Sequence, residues 1–424
     1  MNYKIIIAAL FIFTLFQFIK AENSDTLTVE NCLQIALLKN PSMKISEGIY
    51  NLTEASYKLT KSGLLPQISF QSSWTDNYNM IFGKSKIPGS LENYTFGFQA
   101  TQSIFDYSKY QKLSSGKDLL SAADQDRLTA TQNLIMSVYI AYYNYLQSKR
   151  QIDVANEVNQ QAQEHLRQAQ GLFTVGKTSK YDLLKAQTDL SNTELNKITA
   201  LNSLSIAKVQ LENVLNDKLS EGFNLKDNLE SIEDNMTLAS ALDVARKSRP
   251  EIISSNFIVD ANRTNLNAAW SANLPALNAS GGYNWKSLTF SGPFPNTWNI
   301  GLTLSLPLFQ GFGIESMVDQ ASANLKIAEA TNNALVNSIY LEVQQQYFIL
   351  NQNRQKIIAT KNLLTQAEET MKIAEGRFSE GIGSPLEITD ARVLLFSAKT
   401  SFIQTLYDYQ ISKIRLKRSV GALK

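Results

Sequence analysis

The chain has one cysteine and one histidine in 424 residues. Cys32 has no second cysteine for a disulfide, and with His165 as the sole imidazole neither a zinc cluster nor a Cys/His catalytic pair can be assembled. The usual general base is almost missing, and no nucleophile–base pair or phosphate-cradling glycine loop replaces it, so no catalytic, cofactor-binding or metal-binding residue is assigned. An enzyme is the weakest reading. The 40 Lys and Arg are matched by 38 Asp and Glu, leaving neither a basic field for nucleic acid nor an acidic block. Beyond the N-terminus, nothing approaches the roughly 18 consecutive apolar residues of a membrane-spanning helix.

The one long apolar run stands at the start. Lys4 precedes an apolar core from Ile5 to Phe16, which Gln17 and Lys20 break, and a cut after Ala21 would make residues 1–21 a secretory signal. Cys32 does not directly follow that core, as a lipidation site would, and is expected to be a small buried side chain. Charged residues are only 18%; the long segments are filled with Asn, Gln, Ser, Thr and Ala, as in chains that line water.

Four stretches alternate strictly. Trp298, Ile300, Leu302, Leu304 and Leu306 are apolar, while Asn299, Gly301, Thr303 and Ser305 between them are polar or small. Ile68, Phe70, Trp74 and Tyr78 repeat the pattern, as do Tyr94, Phe96, Phe98 and Ala100, and Leu277, Ala279, Tyr283 and Trp285. The spacing predicts strands over about 67–78, 93–105, 277–286 and 297–307, paired as two hairpins with one greasy and one wet face. Strands of about 9–11 residues with aromatic ends suit a tilted crossing of an outer membrane. Four cannot close a barrel, and an open edge in lipid leaves backbone groups unpaired, so closure would need other copies of the chain. A pair of soluble hairpins packed on helices is the plain alternative.

The chain is also a duplication. Pro41 and Pro66 recur 209 positions on as Pro250 and Pro275; Gly171, Phe173, Gly176 and Ser179 recur 205 positions on as Gly376, Phe378, Gly381 and Ser384. Each half (22–221 and 237–424) holds a short helix, a second helix of about 25 residues, a proline where helix yields to strand, a hairpin, a very long helix and a return helix. The polar, acidic stretch Asp217 to Asn235 joins them, with the linker proper at 222–236. The long helices are expected over about Ser108–Ala169 and Ile314–Ala374. Val336, Val343, Leu350, Ile357, Leu364, Met371 and Phe378 recur every seventh residue, matched by Thr131, Val138, Tyr145, Ile152, Asn159, Leu166 and Phe173. This predicts coiled-coil packing in rods of roughly 90 Å. Return helices follow over about Ser179–Asn216 and Ser384–Val420. Met80–Leu91 and Ser287–Pro295, rich in Gly, Pro and Ser, read as extracellular hairpin tips.

The order of these features resembles the TolC family of outer-membrane efflux channels. The resemblance rests on Pro66 and Pro275, on Leu304-Ser-Leu-Pro-Leu-Phe-Gln-Gly311 with its weaker copy Gln102-Ser-Ile-Phe-Asp106, and on the turns Gly171–Gly176 and Gly376–Gly381. It implies a mainly α protein with membrane β: a homotrimer whose twelve strands close one β-barrel in outer-membrane lipid, continued by a periplasmic α-helical barrel. It also implies a periplasmic adaptor (membrane fusion) protein and an inner-membrane transporter as partners, in efflux or type I secretion.

By position in the family's turn motif, Asp390 and Glu387 match carboxylates that ring the periplasmic entrance. Asp182 matches an acidic residue of the first-half turn that helps hold it shut. Three copies of a carboxylate near one axis would favour cations; the alternative is ordinary solvated helix-face acids. Two positions depart from the best-known gate pattern: Phe378 has no hydroxyl, and Gly383 stands where an arginine can lock the turn. Arg377, Arg392 and Lys185 are replacement partners on proximity alone. Phe173 and Phe378, with Gly171, Gly176, Gly376 and Gly381, are expected to close the helix tips. His165 reads as a solvated or packed residue. Trp74, Tyr78, Tyr94, Trp285 and Trp298 are candidates for interfacial girdles, with plain strand packing as the other reading. A passive export duct is the leading function, and a structural or adhesive coiled-coil protein with a β anchor the alternative.

Overall fold

The computed structural model describes residues 26–78, 90–220, 222–227, 229 and 236–423. The expected signal segment 1–21, most of the tip Met80–Leu91 and residues 228 and 230–235 of the linker lie outside them. The first half runs β1 (Thr26–Leu27), α1 (Val29–Lys39), α2 (Pro41–Ser62), β2 (Gln67–Tyr78), β3 (Ser90–Phe105), α3 (Tyr107–Thr174) and α4 (Lys180–Leu215), followed by β4 (Asn224–Leu225). The second runs α5 (Leu238–Ser248), α6 (Pro250–Trp270), a short 3-10 turn, β5 (Ala276–Ser287), β6 (Asn296–Ser305), α7 (Gly313–Ser379) and α8 (Pro385–Ser419).

Local chemistry sets the boundaries. Thr28 and Asn31 cap α1 reciprocally, and Asn40 caps α2 with Pro41 in its first turn. At the matching place before α6, Arg249 offers no side-chain cap. Its buried guanidinium instead pairs with Glu251 at 3.0 Å and Glu342 at 2.7 Å and donates to the Ser419 carbonyl at 2.6 Å, anchoring the end of α8.

The two hairpins are one sheet. β3 pairs antiparallel with β5, giving the order β2-β3-β5-β6. Directly opposed residues share a face, so the register Phe70↔Phe98, Phe98↔Tyr283 and Tyr283↔Trp298 lays a row of aromatic rings across all four strands. The next row reads Gln71↔Gly97, Gly97↔Asn284 and Asn284↔Thr297, on the opposite face. The apolar face is exposed: Trp298, Ile300, Leu302 and Leu304 each keep about 70% or more of their surface. β3 begins three residues before the expected 93 because Ser90–Glu92, which carry no alternation, are held by pairing with Asp76–Tyr78. β6 stops at Ser305, two residues short of the expected end, where Pro307 could supply no N–H to a ladder.

α3 and α7 are 68 and 67 residues long, about 100 Å at 1.5 Å per residue. Both outrun the expected ends at Ala169 and Ala374, because Gly171 and Gly376 sit inside the last turns, where one glycine costs only about 1 kcal/mol. Along the heptad lines Val138, Tyr145, Ile152, Val343, Leu350, Ile357 and Met371 are buried. Asn159, which interrupts the first line, is also buried and donates to Thr193 Oγ1 at 3.1 Å. Two cores sit at mid-height, where the short helices press on the rods: Cys32 and Ala36 join Val138, Leu211 and Tyr407, and Ala241 and Ala245 join Val343, Tyr409 and Val420. A third, around Ala367, Met371, Ala391 and Leu395, packs α7 on α8 toward the tip. The start of the linker is strapped down: β4 pairs parallel with β1, Tyr142 donates to the Lys226 carbonyl at 2.6 Å, and Arg150 and Tyr407 hold Asp227.

Candidate entrance at the helical tips

Each hairpin of long helices turns on a glycine in the left-handed region, Gly176 with φ +71° and Gly381 with φ +74°. Ser179 and Ser384 then cap the return helices, each accepting from the backbone N–H three residues on. These capped positions are Asp182 and Glu387. Asp182 turns its carboxylate back onto the cap: Oδ2 accepts from Ser179 Oγ at 2.7 Å, Thr178 Oγ1 at 2.9 Å and Ser179 N at 3.2 Å. Those hydrogen bonds from Ser179 and Thr178 hold its pKa below the ordinary carboxylate value. Glu387 instead accepts from Arg377 Nε at 3.1 Å, across the turn.

Glu387 and Asp390 share one depression of about 340 Å³, with Arg377, Ile373 and Leu394. Asp182 opens onto a different cleft, of about 2020 Å³, between the two helical hairpins; His165, Phe378 and Arg392 also line it. The structure therefore brings two of the three expected acids together and sets the third apart. Among the cations, Arg377 pairs with Glu387 and Lys185 lies 3.5 Å from Asp189. Arg392 is buried.

The turn explains the glycine at 383. Its N–H donates to the Arg377 carbonyl at 2.9 Å, and a Cβ there would come within 2.8 Å of Phe378 N. No side chain fits without moving the turn. Phe173 is exposed, whereas Phe378 is half-buried against His165, with ring centroids 5.9 Å apart.

Sequence reasoning missed the link between the two hairpins. Thr389 on α8 donates its hydroxyl to Asp189 on α4, both buried, and Lys399 on α8 reaches both carboxylate oxygens of Glu157 on α3 at 2.8 Å. Asp189 lies seven residues after Asp182, a heptad spacing that marks one helical stripe.

At the other end of the molecule, Trp74, Tyr94, Trp285 and Trp298 lie on the exposed apolar sheet face, toward the hairpin tips. Tyr78 pairs with Ser90 through its backbone. Exposed aromatics near the helical side of the sheet, Trp270, Phe309 and Phe312, were not among the girdle candidates read from the sequence. Among the described residues no helix is long and apolar enough to cross a membrane, and no group of three or more acids, histidines and cysteines is placed to hold a metal.

A membrane sheet with one wet face, set on rods of about 100 Å, belongs to the class of outer-membrane exit ducts. The sequence profile described as outer membrane efflux protein matches residues 32–217 and 241–422, and the chain belongs to that family. It is 25% identical over 416 residues to the outer membrane protein TolC of Escherichia coli (strain K12), covering 93% of this chain and 83% of that one. It is 22% identical to the alkaline protease secretion protein AprF of Pseudomonas aeruginosa, over 97% and 88% of the two chains. The fold superposes on the crystal structure of the Campylobacter jejuni CmeC outer membrane channel with a TM-score of 0.83, 19% identity, and coverage of 93% and 85%. The protein is a passive channel of the outer membrane with a periplasmic extension, and not an enzyme. The adhesive-rod alternative falls with that assignment.

Proposed function

We propose that three copies of this chain, each secreted with residues 1–21 removed and built of halves 22–221 and 237–424 about the linker 222–236, close a single twelve-stranded barrel. The observation that carries this reading is the four-stranded sheet with two unpaired edges, β2 and β6, an exposed apolar face and a face of Gln, Asn, Ser and Thr. An edge cannot stay open in lipid, so β6 of one copy pairs with β2 of the next. The wet faces then enclose water. Trp74, Tyr78, Tyr94, Trp285 and Trp298 sit at the headgroup level.

The helical tips form the periplasmic entrance. Asp390 and Glu387 repeat around the axis and favour cations, while Asp182 stiffens the first-half turn. The duct receives cargo from an inner-membrane transporter through a periplasmic adaptor, and a lumen of small polar groups leaves selection of cargo to those partners.

The purified protein in a planar bilayer, with its mass measured in detergent, tests this. A trimer that conducts, and that cross-links between cysteines introduced on the β2 and β6 edges, supports it. A stable single subunit, or an inserted protein that never conducts even as the Asp390→Ala, Glu387→Ala variant, overturns it.

A further inference from the structure

His165, the single histidine of the chain, is buried in the seam between the two helical hairpins. Neither ring nitrogen has a hydrogen-bond partner among the described residues, and the ring packs at a steep angle, 61°, against Phe378 from the opposite hairpin. Beside it Arg392, also buried at 5% exposure, leaves Nε and Nη1 unpartnered. A buried imidazole with both nitrogens unpartnered, beside a guanidinium that leaves two of its own unpartnered, is tolerable only while the imidazole is uncharged.

We propose that His165 is an acid-sensing latch: neutral, it lets the α3–α4 and α7–α8 hairpins close on each other, and its protonation drives their tips apart. The proposal rests on the reading of these tips as the entrance.

The charged surroundings decide the direction. From α8, Arg392 faces the imidazole and repels a second positive charge; from α4, Asp189 attracts it. Asp189 is already engaged by Thr389 and Lys185. From α7, Glu375 opens onto the same cleft and acts on Arg392. On α3 itself, Glu164 and Arg167 pair with each other at 2.5 Å. Glu157 on α3, Lys177 in the first turn and Asp182 on α4 line the cleft as well, and Glu157 is taken by Lys399.

Burial, then Arg392, push the His165 pKa below its ordinary 6.5, against the pull of Asp189. In separated tips water restores the ordinary value. The closed seam is therefore fully stable above about pH 6.5, and it weakens as the pH falls from there to the lower value of the closed form. The Lys399–Glu157 pair holds the hairpins together farther from the tip, so the separation hinges there and stays local.

The test uses the full protein in lipid nanodiscs, with spin labels on Gln170→Cys and Glu380→Cys, both exposed, and bilayer conductance recorded from pH 7.5 to 5.0. The lone histidine makes its NMR titration unambiguous. The expected results are a label distance that grows on acidification, a several-fold rise in conductance over the same range, and a His165 midpoint below 6.5. His165→Asn should abolish the pH response at unchanged fold, and Arg392→Gln should move the midpoint upward. A wild-type distance constant with pH, or an unaltered response in His165→Asn, overturns the latch. Tips that separate with unchanged conductance support the latch and overturn the entrance reading.

Discussion

Thr389 donates its hydroxyl to the carboxylate of Asp189, a residue 200 positions earlier in the chain, and both are buried. The bond crosses from the second helical hairpin to the first. Replacing Thr389 by Val keeps the shape and leaves that oxygen without its donor, at a cost of about 1–3 kcal/mol to the closed seam. Single-channel records should show a larger open fraction for Thr389→Val than for wild type.

Among the described residues no basic side chain pairs with Asp390, whereas Glu387 is tied to Arg377. Asp390→Asn should weaken cation preference, read as a reversal potential moving toward zero in a salt gradient. Arg377→Ala releases Glu387 and should strengthen the preference. An unchanged reversal potential in Asp390→Asn removes that residue from the ring.

Gly383 has no room for a side chain against Phe378 N and Arg377. Even Gly383→Ala should therefore loosen the α7–α8 turn. Faster hydrogen exchange across residues 376–387, at an unchanged rate in the sheet, is the expected readout.

Ile300 and Asn299 are neighbours on opposite faces of β6. Ile300→Arg puts a charge into lipid, at about 2–4 kcal/mol near the bilayer midplane, and should impair folding into vesicles. Asn299→Arg faces water and should insert normally while altering conductance. Equal defects in both would refute the assignment of faces.

Burial disfavours ionisation of Glu251, but Arg249 and Arg418 outweigh it and hold its pKa below the ordinary 4.5. A lowered pKa contributes stability that is complete above the ordinary value and is lost as the pH falls through the lowered one. Glu251→Gln should lower the melting temperature at pH 7, by an amount matching about 3 kcal/mol for a broken buried pair. It should also flatten the acid limb of stability below about pH 4.5.

The duplication, the strands and the rods were legible because each depends on period. Alternation over Trp298–Leu306, sevenfold spacing from Val336 to Phe378 and prolines at helix–strand junctions are local regularities, and local regularities survive in one dimension. Glu387 and Asp390 were found by position within a turn motif. Asp189, Thr389 and the environment of His165 were not, because their partners lie on another hairpin and no spacing encodes which rod packs beside which.

The sequence by itself determined the elements and the two faces of each strand, since side-chain direction follows from backbone period alone. Only the tertiary structure decided that the hairpins merge through β3 and β5, that Asp182 serves its own cap while Glu387 pairs with Arg377, and that His165 lies buried beside Arg392. Those outcomes depend on which surfaces meet, and burial and charge pairing take their value from that meeting.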